Sequence, residues 1–147
     1  MYSKLITFFV LFGLDQLTFA QDITGLWQSI DDLTGAPKGQ VEITQEADGT
    51  YTGKITKITP RLGYTPKEFC TGCPAPYTNK PIVGLNAITK LKHKRDLIYT
   101  GGRILDPNTG RVYSLAAKLS SNGQRLHLRG YVGVSVLGRS QIWIRVN

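Results

Sequence analysis

The feature that most constrains this chain is a series of short segments in which apolar and polar residues alternate, each followed by a turn motif. In Gln40–Gln45, for example, Val41 and Ile43 fall on one face, and the hairpin dipeptide Asp48-Gly49 follows shortly afterwards. A period of two residues is typical of a half-buried β-strand, and no long stretch shows the 3.6-residue period of an amphipathic helix. The sequence therefore predicts an all-β protein.

About eight such segments follow one another, and most of the connections between them are short enough for hairpins. Successive hairpins make neighbouring strands antiparallel, and eight antiparallel strands can close into an up-and-down barrel, which leaves no exposed edge. A β-sandwich is the alternative, because the long segment at residues 59–81 could cross between two sheets. The predicted segments are Thr24–Ile30, Gln40–Gln45, Thr50–Ile58, Ile82–Leu91, Leu97–Leu105, Val112–Leu119, Arg125–Val132 and Gln141–Val146.

The first 20 residues have the layout of a secretory signal peptide. Lys4 precedes an apolar run at residues 5–14, and Thr18 and Ala20 occupy the −3 and −1 positions of a cleavage site. The run is much shorter than the roughly 20 residues that a membrane-spanning helix needs. We therefore expect an exported protein, periplasmic or secreted, whose mature part is a single domain at residues 21–147 without a transmembrane segment.

The formal net charge of +8 is concentrated in the second half of the chain. Residues 21–79 carry five Lys/Arg against seven Asp/Glu, whereas residues 80–147 carry twelve against two. A basic surface at a predicted hairpin could dock on an anionic envelope surface, or simply keep the protein soluble. A nucleic-acid partner is not expected, because the basic run lacks interleaved aromatic residues and export separates the chain from the genome. The residues of this basic surface are Lys90, Lys92, Lys94 and Arg95.

Cys70 and Cys73 stand in the segment at residues 59–81, which is too rich in proline for a strand. In an exported protein we expect this pair to form a disulfide that makes the loop rigid. A redox-active pair and a pair of metal ligands are the alternatives. No helical pattern follows Cys73 to lower a thiol pKa, and His93 and His127 lack the spacing of a zinc module. We therefore expect no catalysis, no cofactor and no metal.

Two features of the chain resemble known families. Gly25-Leu26-Trp27 resembles the Gly-x-Trp motif of lipocalins and other calycins, in which an arginine from the end of the chain packs over the indole at the base of the barrel; here Arg145 or Arg139 would supply that cation. The spaced pieces GLWQSIDDLTGAPKGQVEI, CTGCP…NKPIVGL, GGRILDPNTGRVY and LRGYVGVSVLGRSQIWIR resemble the bacterial family called domain of unknown function 2147. This resemblance implies a small exported protein with a lipocalin-like barrel, and it implies no established activity.

An eight-stranded barrel encloses either a packed core or one small ligand. The alternation indicates which residues face the interior and would line a ligand cavity. These are Val41, Ile43, Tyr51, Ile55, Leu85, Tyr113, Leu115, Leu126, Leu128, Ile142 and Ile144. We therefore predict a carrier or sensor of a small hydrophobic or amphipathic ligand. The alternatives are a module that docks on the envelope or on another protein, and a thiol oxidoreductase.

Overall fold

The protein is a closed barrel of eight antiparallel strands. The computed structural model describes residues 21–133 and 138–147, so the predicted signal peptide lies outside the described residues. Each strand is hydrogen-bonded to the next one in sequence, and the last pairs with the first. The predicted all-β, up-and-down barrel is therefore confirmed, and the β-sandwich is excluded. The strands are β1 (Gly25–Ile30), β2 (Pro37–Gln45), β3 (Tyr51–Ile58), β4 (Asn86–Arg95), β5 (Ile98–Asp106), β6 (Arg111–Leu119), β7 (Arg125–Tyr131) and β8 (Gly138–Arg145).

Two hairpins of the barrel are closed by the same five-residue motif, Asp-x-x-Thr-Gly. In the β1–β2 turn, Asp31 accepts hydrogen bonds from the backbone N–H groups two and three residues ahead, and Gly35 has a φ of 70°. In the β5–β6 turn, Asp106 accepts a bond from the N–H two residues ahead, and Gly110 has a φ of 74°. A carboxylate that bonds the backbone ahead and a glycine in the left-handed region together reverse the chain.

The fourth strand is longer than the sequence indicated. The sequence predicts that this strand ends at Leu91 and that the next begins at Leu97, but β4 continues to Arg95 and the chain reverses at Asp96, which has a φ of 44°. His93 pairs with Tyr99 across the hairpin. A ladder needs only backbone groups, so a run of charged side chains can extend a strand at its solvent-facing end.

The long connection between β3 and β4, residues 59–85, folds over one end of the barrel. The residue pair Phe69 and Pro81 forms a β-bridge, so the chain leaves the barrel and returns alongside itself. In β5, the Gly101-Gly102 pair coincides with a register shift between Tyr99 and Gly102, which is typical of a bulge. Within the described ranges no helix is long and apolar enough to cross a membrane.

The inner face of β8 is the reverse of the predicted one. Ile142 and Ile144 are each 41% exposed, whereas Trp143 between them is 4% exposed. Arg145 is the register partner of Trp27, and cross-strand partners share a face, so the odd-numbered residues of β8 point inward. The prediction for Ile142 and Ile144 is therefore wrong. An isoleucine side chain on the outer surface costs little free energy of folding. Burying an indole removes more apolar area from water than burying an isoleucine does.

Candidate functional site

The base of the barrel is closed by a buried tryptophan under an arginine. The side chain of Trp27 is fully buried, and its Nε1–H donates to the carbonyl of Ile23 at 2.9 Å. The guanidinium carbon of Arg145 lies 4.4 Å from the indole centroid. Of the two arginines that the sequence left open, Arg145 occupies this position, and Arg139 lies at the other end of β8.

The guanidinium of Arg145 is also surrounded by backbone acceptors. Its Nε, Nη1 and Nη2 atoms each donate a 2.7 Å hydrogen bond to a different carbonyl. Gly25 has a φ of 130°, and a Cβ at that position would lie 2.8 Å from Nη1, so the glycine of the Gly-x-Trp motif makes room for the cation. The acceptors are the carbonyl oxygens of Asp22, Thr24 and Gly123.

Two tyrosines complete the packing of the base. The rings of Tyr51 and Tyr99 meet edge to face, with centroids 5.4 Å apart, and the Tyr51 hydroxyl lies 3.4 Å from a carboxylate oxygen of Asp22. Burial raises the pKa of Tyr99 to about 12. The base is therefore a filled, hydrogen-bonded closure and leaves no room for a ligand.

The opposite end of the barrel opens into a cavity of about 380 Å³. This volume falls within the roughly 300–1,000 Å³ that is typical of small-molecule sites. The walls come from most strands of the barrel, and residues of the β3–β4 connection cover part of the mouth. The apolar and aromatic residues of the walls are Val41, Ile55, Ile58, Ile82, Ala87, Ile104, Leu105, Tyr113, Leu115, Leu128 and Trp143. Such walls would bury the hydrocarbon part of a ligand.

The structure divides the residues that the sequence predicted for a cavity into three groups. The residues that line it are Val41, Ile55, Tyr113, Leu115 and Leu128. Ile43, Tyr51, Leu85 and Leu126 are buried elsewhere in the core. The third group, Ile142 and Ile144, is exposed on the outer face of β8. Alternation finds the inner face of a strand, but it does not tell where along that face the packed base ends and the cavity begins.

Charged residues at the mouth are the main feature that the sequence reasoning missed. Lys57 borders the cavity just beyond a register shift in the β2–β3 pairing, and Arg139 begins the inward series of β8 that passes through Gln141 and Trp143. A signal for Arg139 was present in the sequence, because an inward Arg145 and a period of two place residues 143, 141 and 139 on the same face. The charged residues that line the cavity are Lys38, Lys57, Arg61, Lys67, Arg139 and Asp106.

The segment over the mouth contains the disulfide. Cys70 and Cys73 are bonded, with Cα atoms 5.5 Å apart, and are 0% and 5% exposed. The predicted disulfide is therefore confirmed. Redox-active pairs need an accessible sulfur, so the burial of this pair favours a structural role. In the described part of the chain, no group of three or more His, Cys, Asp or Glu residues is arranged to hold a metal ion.

Polar contacts attach the same segment to the hairpins around the mouth. The Tyr64 hydroxyl donates to Oδ1 of Asn108 at 2.7 Å, in the β5–β6 turn. Lys67 Nζ lies 3.4 Å from the carbonyl of Asn108. Arg61 lies 3.0 Å from a carboxylate oxygen of Asp31, in the β1–β2 turn, and its guanidinium lies 4.5 Å from the Tyr64 ring centroid. These contacts join three connections into one rim.

The basic surface predicted at residues 90–95 lies at the other end of the molecule. Its four cations are exposed on β4, which runs from the mouth towards the base. Lys90 Nζ lies 3.7 Å from a carboxylate oxygen of Asp48 in the β2–β3 turn. None of the four lines the cavity. The basic surface and the cavity are therefore separate features.

The comparisons with known proteins agree with this architecture. The model of a family described as "Uncharacterized protein conserved in bacteria (DUF2147)" matches residues 25–145. Among solved structures, protein HP1028 from the human pathogen Helicobacter pylori, described as belonging to the lipocalin family, has a TM-score of 0.72 at 19% sequence identity. The similarity covers 87% of this chain and 85% of that protein, and at this identity it is a similarity of fold. No curated protein matches the chain.

Proposed function

Since this chain belongs to the bacterial DUF2147 family, whose model matches residues 25–145, we propose that it is an exported, lipocalin-like binding protein. It carries or senses a small hydrophobic or amphipathic ligand and has no catalytic activity of its own. The observation that carries this proposal is the cavity of about 380 Å³ at one end of a barrel whose other end is filled.

The walls of the cavity support an apolar ligand. Each methylene group that a ligand buries there contributes about 0.8 kcal/mol, so a short hydrocarbon chain can bind without many polar contacts. Gln141 and Tyr113 add polar atoms among the apolar side chains. Most small-molecule sites combine a largely apolar wall with a few polar groups that orient the ligand.

Two observations support export. Residues 1–20 have the order of a signal peptide, and Cys70 and Cys73 form a disulfide, which persists in the periplasm or outside the cell and is rare in the cytosol. A carrier in that compartment would give its ligand a hydrophobic environment while the ligand crosses water.

The first test is native mass spectrometry of the protein purified from the periplasmic or secreted fraction, followed by denaturation. We expect additional mass in the native spectrum that disappears on denaturation, and this mass begins the identification of the ligand. A polypeptide lighter by about two hydrogens confirms the disulfide in the same spectrum. Protein that carries no ligand and also fails to bind the uncharged fluorophore N-phenyl-1-naphthylamine contradicts the proposal.

A variant that fills the cavity locates the binding site. Gly130 lines the cavity, and a Cβ there would meet Tyr113 and Ile104 at 3.4 and 3.6 Å, which is ordinary contact. Gly130→Leu should therefore place its side chain in the cavity and abolish binding of N-phenyl-1-naphthylamine. Ala116→Leu, which enlarges a side chain on the outer face of β6, is the matched control and should bind as the wild type does. Unchanged binding by Gly130→Leu would place the fluorophore elsewhere.

A second candidate function is docking on an anionic envelope surface, and the exposure of all four cations at residues 90–95 supports it. Reversing the charges of Lys92, Lys94 and Arg95 to Glu should abolish a salt-sensitive association with anionic vesicles. Unchanged association would exclude this surface. The control reverses three exposed cations elsewhere, so that the net charge is the same. These cations are Lys54, Arg103 and Lys118.

A further inference from the structure

We infer that the ligand of this cavity is an amphiphile with an anionic head group, and that Lys57 and Arg139 bind the head group at the mouth. The inference rests on the proposed function, because it names the chemical class of the ligand in the same cavity. It concerns only the polar end of the ligand, and the apolar walls described above accommodate the tail.

The first support is the charge of the residues that line the cavity. Five of them are cationic, and Asp106 is the one carboxylate among them. Asp106 also accepts a hydrogen bond from the backbone N–H of Asn108, which partly neutralises its pull on a cation. Cations at the mouth of an apolar cavity attract anions more strongly than the same cations on an open surface, because the low-dielectric walls concentrate their field.

The second support is the position of two of these residues. Lys57 borders the cavity just beyond a register shift in the β2–β3 pairing, next to Ile58, which packs against the core. Arg139 is on the same face of β8 as Gln141 and Trp143, which line the cavity. Strand alternation therefore places Arg139 where an inward series reaches the mouth, above the apolar walls, and Lys57 borders the same cavity.

The third support is that these two cations are available. Arg61 is paired with Asp31 at 3.0 Å, and Lys67 lies 3.3 Å from the carbonyl of Thr71. Among the residues that the structure describes, neither Lys57 nor Arg139 has a side-chain hydrogen bond or an ion pair. A guanidinium offers five donors and binds carboxylates, sulfates and phosphates in a bidentate manner.

The hydrogen bonds of the other inward arginine on β8 are a fourth support. Arg145 faces the interior at the base, and its three nitrogen atoms donate to three backbone carbonyls. Buried or partly buried donors in proteins are normally satisfied in this manner. At the mouth no described backbone carbonyl accepts from Arg139, and an anionic head group would supply the missing acceptors.

The test is a competition assay with three compounds that share a ten-carbon tail and differ in head group. They are decanoate, decan-1-ol and decyltrimethylammonium. The assay measures how well each compound displaces N-phenyl-1-naphthylamine from the exported protein at pH 8, at concentrations below micelle formation. We expect decanoate to bind at least about tenfold more tightly than decan-1-ol, and decyltrimethylammonium more weakly than either. Added salt should reduce the preference for decanoate.

Neutral variants assign the preference to the two cations. Lys57→Gln and Arg139→Gln should each weaken decanoate binding by about fivefold, which corresponds to one partly exposed charge interaction, and should leave decan-1-ol binding unchanged. Unchanged decan-1-ol binding shows that the cavity is intact. The matched control is Lys92→Gln combined with Arg95→Gln, which removes two charges at the base and should leave decanoate binding unchanged.

The possible failures of the two proposals are distinguishable. Equal binding of decanoate and decan-1-ol by the wild type would overturn the inference and leave the proposed function intact. The same would follow if the control at the base lost as much decanoate affinity as the two variants at the mouth, because the effect would then come from net charge. Failure of the fluorophore and of all three compounds to bind would overturn the proposed function itself. When decyl phosphate is added to the assay as a fourth compound, tighter binding of decyl phosphate than of decanoate would support the inference and indicate a phosphate head group.

Discussion

The two ends of this barrel place an inward arginine in two different environments. Arg145 at the base stacks on Trp27 and bonds three carbonyls, whereas Arg139, six residues earlier on the same face of β8, has no side-chain partner in the described part of the chain. The N-terminal segment and the β6–β7 turn bring backbone acceptors together at the base. At the mouth the same strand borders a cavity. The same residue type on one strand face therefore stabilises the fold at one end and is free to bind a ligand at the other.

The largest effect on stability is expected from the substitution Trp27→Ala at the base. It removes a fully buried indole, and such truncations in protein cores cost about 3–5 kcal/mol. Urea unfolding should show a correspondingly lower midpoint. Trp143→Ala in the cavity wall should cost less, because part of that indole already borders empty volume and has fewer packing partners to lose. Equal losses would show that the cavity wall is packed as tightly as the base.

The pair Arg145→Met and Arg139→Met tests the comparison directly. Methionine keeps much of the length of arginine but donates no hydrogen bonds, so Arg145→Met leaves three carbonyls without their donor and should cost about 2–4 kcal/mol. Arg139→Met should change the free energy of unfolding by no more than about 0.5 kcal/mol. Thermal or urea unfolding of both proteins measures the difference. A loss at Arg139 as large as that at Arg145 would contradict a ligand-binding role for Arg139.

A matched pair of glycines tests how the segment over the mouth is attached. Gly35 and Gly110 end the same Asp-x-x-Thr-Gly turn with φ values of 70° and 74°, so alanine adds similar backbone strain of about 1 kcal/mol at either position. A Cβ at Gly35 meets no atom within 4 Å, whereas one at Gly110 would clash with the carbonyl oxygen of Gly72, next to the disulfide. Gly110→Ala should therefore cost a further 1–2 kcal/mol or so.

Hydrogen exchange distinguishes local from global effects in this pair. Gly110→Ala should speed the exchange of backbone amides in residues 66–81, because the segment no longer docks on the β5–β6 turn. Gly35→Ala should leave these amides as protected as in the wild type. The same exchange in both variants would mean that the contact between Gly110 and Gly72 does not hold the segment in place.

The smallest expected effect is a dependence of stability on alkaline pH that originates at the base. Burial raises the pKa of Tyr99 to about 12, above the roughly 10 of an exposed phenol. The folded state therefore holds this proton more tightly than the unfolded state, and the resulting stability is present below about pH 10 and is lost as the pH rises towards 12. Tyr99→Phe should make the decrease of stability between about pH 10 and 12 less steep. Equal slopes for the two proteins would exclude this contribution.

Most of the architecture could be predicted because its signals are local. Alternation and turn motifs such as Asp48-Gly49 indicated eight strands in hairpin order, and the barrel confirms them. The disulfide between Cys70 and Cys73 followed from the expected oxidising compartment. The candidate site was only partly predictable, since the sequence indicated apolar wall residues such as Leu128 and missed the cations of the mouth.

The missed residues share a physical cause. Hydrophobicity is a poor sign of an inward position where a strand reaches a wet cavity or where apolar residues are tolerated on the outer surface. On β8 the more apolar face, with Ile142 and Ile144, is the outer one. The inner face carries Arg139, Gln141 and Trp143, whose polar atoms suit a site that is open to water.

The sequence by itself therefore determined the class of fold and the order of the strands, because turn chemistry and side-chain period act within a few residues, and its resemblance to the Gly-x-Trp motif indicated the plug at the base. Only the tertiary structure decided which face of β8 is inside, which arginine covers Trp27, which end is open and that a cavity remains there. These properties depend on the register between strands that are distant in sequence, and the closure of β8 onto β1 sets that register for every side chain of the strand.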